Sequence, residues 1–144
     1  MTARPDSSAT LHLVTMSTSS SESDEPELIN TLRSHKATIN CTTFSPGDDK
    51  LVSGSDEGSL IFWNLIGDKP NETGLCYKLS GHKSAINSLD YASSGQFFVS
   101  ASRDTTVRLW RLSSCLSKPN EEPVVYKCHG LVSQAAAICS LLIC

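Results

Sequence analysis

The chain has 144 residues, 12 Lys+Arg against 15 Asp+Glu, a net charge of −3 and 39% hydrophobic residues. That length suits one domain, and the near-neutral charge excludes a protein dominated by phosphate contacts, so no nucleic-acid partner is expected. No run approaches the roughly 18–20 apolar residues of a bilayer span, and Leu11–Met16 is too short for a signal-peptide core. A soluble, cytoplasmic protein without a membrane partner is expected.

Residues 1–27 show almost no apolar periodicity, and Ser17–Glu27 is polar, acidic and interrupted by proline. Such a segment buries too little surface to offset its ordering entropy, which predicts a disordered acidic Ser/Thr-rich leader over 1–27. Through Thr31 one arginine faces five acids, a net of −4, so the remainder carries +1. The acidity belongs to the leader. Ser21 and Ser23 beside acids are candidates for acid-directed kinases, against the plain alternative of a solvated leader.

A repeat decides the fold. His35, His82 and His129 are spaced by 47, and so are Trp63 and Trp110. Between them Lys36, Ile39, Asn40, Val52, Ser53 and Ser55 match Lys83, Ile86, Asn87, Val99, Ser100 and Ser102. Each unit reads as four short strands. In the first these are Ile39–Phe44, Leu51–Ser53, Leu60–Trp63 and Cys76–Leu79, with turn signals at Pro46–Asp48 and Gly67–Asn71. In the second they are Ala85–Tyr91 (interrupted once, as at a bulge), Phe97–Val99, Val107–Trp110 and Pro123–Lys127. Ser93–Gly95 and Arg103-Asp104 are its turns, and Glu27–Leu32 reads as a further outer strand. Four strands per 47-residue unit predict a β-propeller blade.

Leu79-Ser-Gly-His82, Ser100-Ala-Ser-Arg-Asp104 and Thr106-Val-Arg-Leu-Trp110 resemble the WD-repeat family, in which a Gly-His opens the unit and a Trp near its end precedes an Asp. The second unit departs at Arg111. The first departs at Ser34, at Glu57 in the place of Asp104, and at Gly58–Leu60 for Thr105–Val107. The resemblance implies an all-β, partial WD-repeat propeller. It has two four-stranded antiparallel blades over about 32–78 and 79–125, inside 28–129, and the start of a third. The run from Tyr77 to Trp110 is further similar to the proteome-of-centriole WD-repeat proteins. That implies a non-enzymatic scaffold at the centriole, basal body or cilium, with centriolar or microtubule-associated protein partners and no cofactor.

His82, Ser100 and Asp104 have the residue types of a hydrolytic triad. The set recurs as His35, Ser53 and Glu57, and no Gly-x-Ser-x-Gly elbow is present. A triad occurs once per domain and a structural network once per blade, so no catalytic residue is expected. The resemblance implies instead a hydrogen-bonded chain in each unit: His35, Ser53, Glu57 and Trp63, then His82, Ser100, Asp104 and Trp110. The longer Glu57 predicts a strained or missing network in the first unit. Loops around the His and the acid are the family's usual binding surfaces, which makes Lys36, Asp56, Lys83 and Arg103 the candidate rim for an acidic or tubulin-like partner. The alternative is plain solvated loop residues.

The six cysteines are expected to be free thiols. Cys128, His129, Cys139 and Cys144 have spacings that fit no common zinc site, so no metal is predicted. Asn40–Thr42 and Asn71–Thr73 match the glycosylation sequon without meaning in the cytosol. After His129 the repeat pattern fails: Ser133 and Ala136 stand where apolar residues equivalent to Ile86 and Leu89 belong. Residues 130–144 form an apolar non-repeat tail, read as a truncated isoform, fragment or altered frame, or else as a short apolar anchor or interaction tail. Two blades alone predict open edges, an uncovered apolar face and self-association. The alternative function is a propeller fragment with no independent role, or one that competes with a full-length relative.

Overall fold

The structure, a computed structural model, describes residues 9–15, 27–65, 76–113 and 123–128. Within them ten strands form three antiparallel sheets. β1 (Ala9–Thr15) pairs with β2 (Glu27–His35). The first blade runs β3 (Ile39–Phe44), β4 (Lys50–Ser55), β5 (Leu60–Asn64), β6 (Cys76–Leu79). The second runs β7 (Ile86–Tyr91), β8 (Phe97–Ser102), β9 (Thr106–Arg111), β10 (Val124–Lys127). The described residues therefore form an all-β fold, with two four-stranded propeller blades.

Local chemistry explains the strand ends. In the β3–β4 turn Asp48 takes φ 55°, and 47 residues on Gly95 takes φ 68° in the β7–β8 turn. Both types tolerate the left-handed region. Register shifts fall between Ile39 and Cys41 and between Ile86 and Ser88, the same place in each repeat. These are the bulges that interrupt the alternation of the first strand in each unit.

The blades pack face to face. Val52, Leu60, Phe62 and Leu79 of the first meet Ile86, Leu89, Tyr91, Phe98 and Trp110 of the second in one buried cluster. On the far side of the first blade, Leu51, Ile61 and Trp63 pack with Leu32 of β2, and Leu11 of β1 lies against them. Within the stretch 1–27, for which the sequence predicts disorder, residues 9–15 form β1. A seven-residue alternation is weak evidence alone. Pairing with β2 satisfies its backbone, and placing Leu11 over the Trp63 face supplies the apolar contact. Residues 1–8 and 16–26 lie outside the described residues, as do His129 and the tail 130–144.

The uncovered apolar face is also only partly seen. Phe44, Val124, Val125 and Tyr126 are exposed, but Val99, Ala101 and Val107 on the far side of the second blade are buried.

One turn position gives a direct test. Gly58 has φ 75°, and a Cβ there would lie 2.8 Å from the carbonyl oxygen of His82 in the next blade. Its repeat equivalent, Thr105, holds φ 67° with a β-branched side chain, a costly conformation. Thr105→Gly is expected to raise stability by about 0.5–1 kcal/mol, after the extra unfolded-state entropy of glycine. Gly58→Thr should lower it by about 2 kcal/mol or more. Urea titrations of the two variants check this, and a destabilising Thr105→Gly would refute the strain.

Candidate functional site

In the second blade Ser100 sits in the middle of β8, fully buried. Its Oγ accepts Trp110 Nε1–H at 2.9 Å, and its own proton then faces His82 Nε2 at 2.7 Å. That assignment leaves the proton of His82 on Nδ1. There it is shared between Asp104 Oδ2 at 3.0 Å and Thr106 Oγ1 at 3.1 Å. Asp104 also receives the Lys83 N–H at 2.8 Å, the Thr106 N–H at 2.9 Å and the Thr106 hydroxyl at 2.6 Å. Every polar side-chain atom of this Trp110–Ser100–His82–Asp104 network has a named partner, from the strand core out to the loop.

The charges follow from these partners. Burial lowers the His82 pKa and outweighs the attraction of Asp104, so the ring stays neutral. Burial pushes the Asp104 carboxyl up, but the hydrogen bonds from Thr106, the Lys83 N–H and His82 outweigh it and hold it well below the usual range. A buried Ser whose lone pair is taken by Trp and whose proton is taken by His has no access to a substrate. This geometry stabilises a fold.

The first blade holds the same chain in looser form. Trp63 Nε1–H meets Ser53 Oγ at 2.9 Å, and Ser53 meets His35 Nε2 at 2.7 Å. The last leg, His35 Nδ1 to Glu57 Oε1, is 3.5 Å. Glu57 takes the Ser59 hydroxyl at 2.5 Å, with Lys78 Nζ at 3.8 Å. Its side chain is 21% exposed, against 8% for Asp104. The first network is therefore present, with one long leg. Burial lowers the His35 pKa against the pull of Glu57. For Glu57 burial is outweighed by Ser59, Lys78 and His35, which hold its pKa down.

The departure at Ser34 has a packing reason. A side chain at Gly81 would run into the Arg108 guanidinium, which covers that glycine. In the first blade Ile61 occupies the register position of Arg108, and Ser34 is exposed. Without an arginine above it the position no longer requires glycine.

The rim residues divide. Lys36 and Lys83 each give their backbone N–H to the blade's acid, Glu57 and Asp104, and both side chains are exposed. Arg103 is exposed beside Lys83, its N–H tied to Ala85 O at 2.9 Å. Asp56 is already engaged: Asn40 Nδ2 donates to its Oδ1 at 2.7 Å and to Ile86 O at 3.1 Å. Asp56 thus orients an inter-blade bond rather than offering a free charge. Asn40 and Thr106 are site residues that sequence reasoning passed over. The match of Asn40 with Asn87 at the 47-residue spacing was the available signal.

A groove of about 630 Å³ at the opposite end of the sheets is lined by Lys50, Gln96, Phe97, Arg111 and Leu112. Arg111 lies over the Phe97 ring at 5.4 Å.

The WD domain, G-beta repeat family matches residues 26–64 and 74–111, and each stretch holds the strand before a blade, the blade's first three strands and its network. The chain belongs to the WD40-repeat family. It is 45% identical over 42 residues to a bromodomain and WD repeat-containing protein of Dictyostelium discoideum, covering 29% of this chain and 2% of that one. The Cps50 (Swd1) β-propeller domain of Myceliophteria thermophila matches with TM-score 0.59 and 26% identity, over 74% of this chain and 30% of that one. The Chaetomium thermophilum polycomb repressive complex 2 matches at 0.54 and 28%, over 60% and 18%. The chain thus spans under a third of each of these relatives. WD40 propellers are generally non-enzymatic scaffolds that bind protein partners.

Proposed function

We propose that this WD40 segment is a non-enzymatic docking platform that holds an acidic protein segment along its His–acid rim. The supporting observation is the repetition of a fixed cation. Lys36 and Lys83 stand at the same position of successive blades on loops pinned by Glu57 and Asp104, with Arg103 adjacent. A pinned backbone lowers the entropy lost on binding, and rim charges steer an oppositely charged partner. The polycomb complex among the structural neighbours supports a place in a multi-protein assembly.

The test is fluorescence anisotropy with a poly-glutamate peptide. Lys36→Glu, Lys83→Glu and Arg103→Glu combined should weaken binding about tenfold or more at low salt, with the melting curve unchanged. Unaltered affinity would remove the rim from the function. The finer reading places the scaffold in the cytoplasm, at the centriole, basal body or cilium, with centriolar or microtubule-associated partners. It rests on the sequence similarity from Tyr77 to Trp110, and co-localisation of the tagged chain with a centriole marker decides it.

A further inference from the structure

The groove at the end of the sheets away from the His–acid rim is built from residues that do not recur. Its backbone corner is the same in both blades. Leu65 N–H donates to Asp49 O at 2.9 Å, and 47 residues on Leu112 N–H donates to Gln96 O at 2.9 Å. The side chains differ. Lys50 pairs across the strands with Asn64, whereas its equivalent Phe97 pairs with Arg111. Asp49 gives way to Gln96. Residues that a blade needs for itself recur, as the His, Ser and Trp of the two networks do. Gln96, Phe97 and Arg111 are therefore not demanded by the blade.

The exchange leaves a cation without an acid. In the first blade the Lys50 ammonium pairs with Asp49, whose other carboxylate oxygen takes the Ser45 hydroxyl at 2.8 Å. In the second blade Gln96 stands in the place of Asp49, and among the described residues no carboxylate pairs with Arg111. Arg111 is exposed, with its guanidinium 5.4 Å from the centroid of the Phe97 ring. A guanidinium held over a ring keeps N–H groups at its edge, where they take a carboxylate in two parallel bonds. Resting on the ring also lowers the entropy lost when such a partner binds. Leu112, half-buried, adds apolar surface to the same groove.

We propose that this groove is a second docking site, for an acidic peptide segment in which a carboxylate side chain stands next to an aliphatic one. The carboxylate pairs with Arg111, and the aliphatic side chain packs on Leu112. A volume of about 630 Å³ holds a few side chains. The occupant is a protein segment because WD40 propellers bind protein partners. It is acidic because the uncompensated charge of the groove is positive. The groove lies at the opposite end of the sheets from Lys36, Lys83 and Arg103, so this inference stands apart from the basic rim.

Fluorescence anisotropy tests it, with a labelled peptide of alternating glutamate and leucine as the probe. The full chain carries Lys36→Glu, Lys83→Glu and Arg103→Glu throughout, so that the rim is silent and only the groove reports. In that background Arg111→Met keeps an apolar chain over Phe97 and removes the charge. It should weaken binding about tenfold or more at low salt, with the melting curve unchanged. Arg111→Glu should lose this probe and gain a peptide of alternating lysine and leucine, a reversal that misfolding does not produce. Absence of binding at millimolar probe would overturn the groove and leave the rim reading intact, and so would an affinity that Arg111→Met does not alter. Poly-glutamate bound as tightly as the probe, or displacement of the probe by an equal concentration of inorganic phosphate, would show a bare anion site and equally overturn the proposal.

Discussion

Trp110→Ala is expected to destabilise the chain by about 3–5 kcal/mol, the range for deleting a large buried aromatic ring. The ring stacks on Phe98 at a centroid distance of 5.9 Å and an interplanar angle of 6°. It also closes the cluster between the blades and supplies the N–H that Ser100 accepts. The alanine variant thus loses apolar burial, leaves a cavity at the inter-blade seam and takes one partner from a buried hydroxyl. Against a usual total of about 5–15 kcal/mol, that is enough to blur or abolish a cooperative transition at 37 °C. Trp110→Phe separates the contributions, since it keeps a ring on Phe98 and loses the N–H, and should cost about 1–2 kcal/mol. Glu57→Asp is the comparison, with an expected change within about 1 kcal/mol, because the acid is kept, its side chain is 21% exposed and its leg to His35 is already 3.5 Å long. Urea unfolding followed by circular dichroism ranks the three. A larger effect for Glu57→Asp than for Trp110→Ala would mean that the register equating the two networks is wrong.

The residues that were legible in the sequence are those that every blade needs for itself. His82, Ser100, Asp104 and Trp110 recur at a fixed spacing because a hydrogen-bonded chain inside one blade demands fixed offsets, and the strands between them follow. Residues that act between blades or along the chain were less visible. β1 depends on pairing with a strand that begins beyond an eleven-residue gap (16–26) and on contact with Trp63, and neither is encoded in its own seven residues. Asn40 was counted in the repeat, yet its bond to Ile86 O exists only once two blades are set side by side. Asp56 looked like a free rim charge because sequence shows the residue but not its partner. The effect of Glu57 was legible in direction only. One extra methylene lengthens a single leg to 3.5 Å and leaves the Ser53–Trp63 half of the chain at the same distances as in the second blade.

The difference between the two acids predicts how the protein responds to acid. Asp104→Asn is expected to cost about 2–4 kcal/mol, since the carboxylate accepts two backbone N–H groups, a hydroxyl and the His82 ring, and an amide puts a donor among donors. Glu57→Gln should cost about 1 kcal/mol or less. The sign of the pH dependence is set by which state binds more protons. The folded-state pKa of Asp104 is depressed, so its contribution is present above the unfolded value of 3.8 and is lost as pH falls towards the folded value. The folded pKa values of His35 and His82 are also depressed, so between those values and 6.5 the unfolded chain binds protons that the folded chain refuses. Both effects weaken the fold in acid. Melting temperature should be flat above about pH 7, fall below about 6.5 as the histidines titrate in the unfolded chain, and fall again below about 4. Asp104→Asn should remove much of the lower limb and keep the upper one, whereas Glu57→Gln should alter both only slightly. A lower limb unchanged by Asp104→Asn would show that other carboxylates drive acid unfolding. A flat profile between pH 7 and 5 would show that His35 and His82 protonate as readily in the folded chain as in the unfolded one.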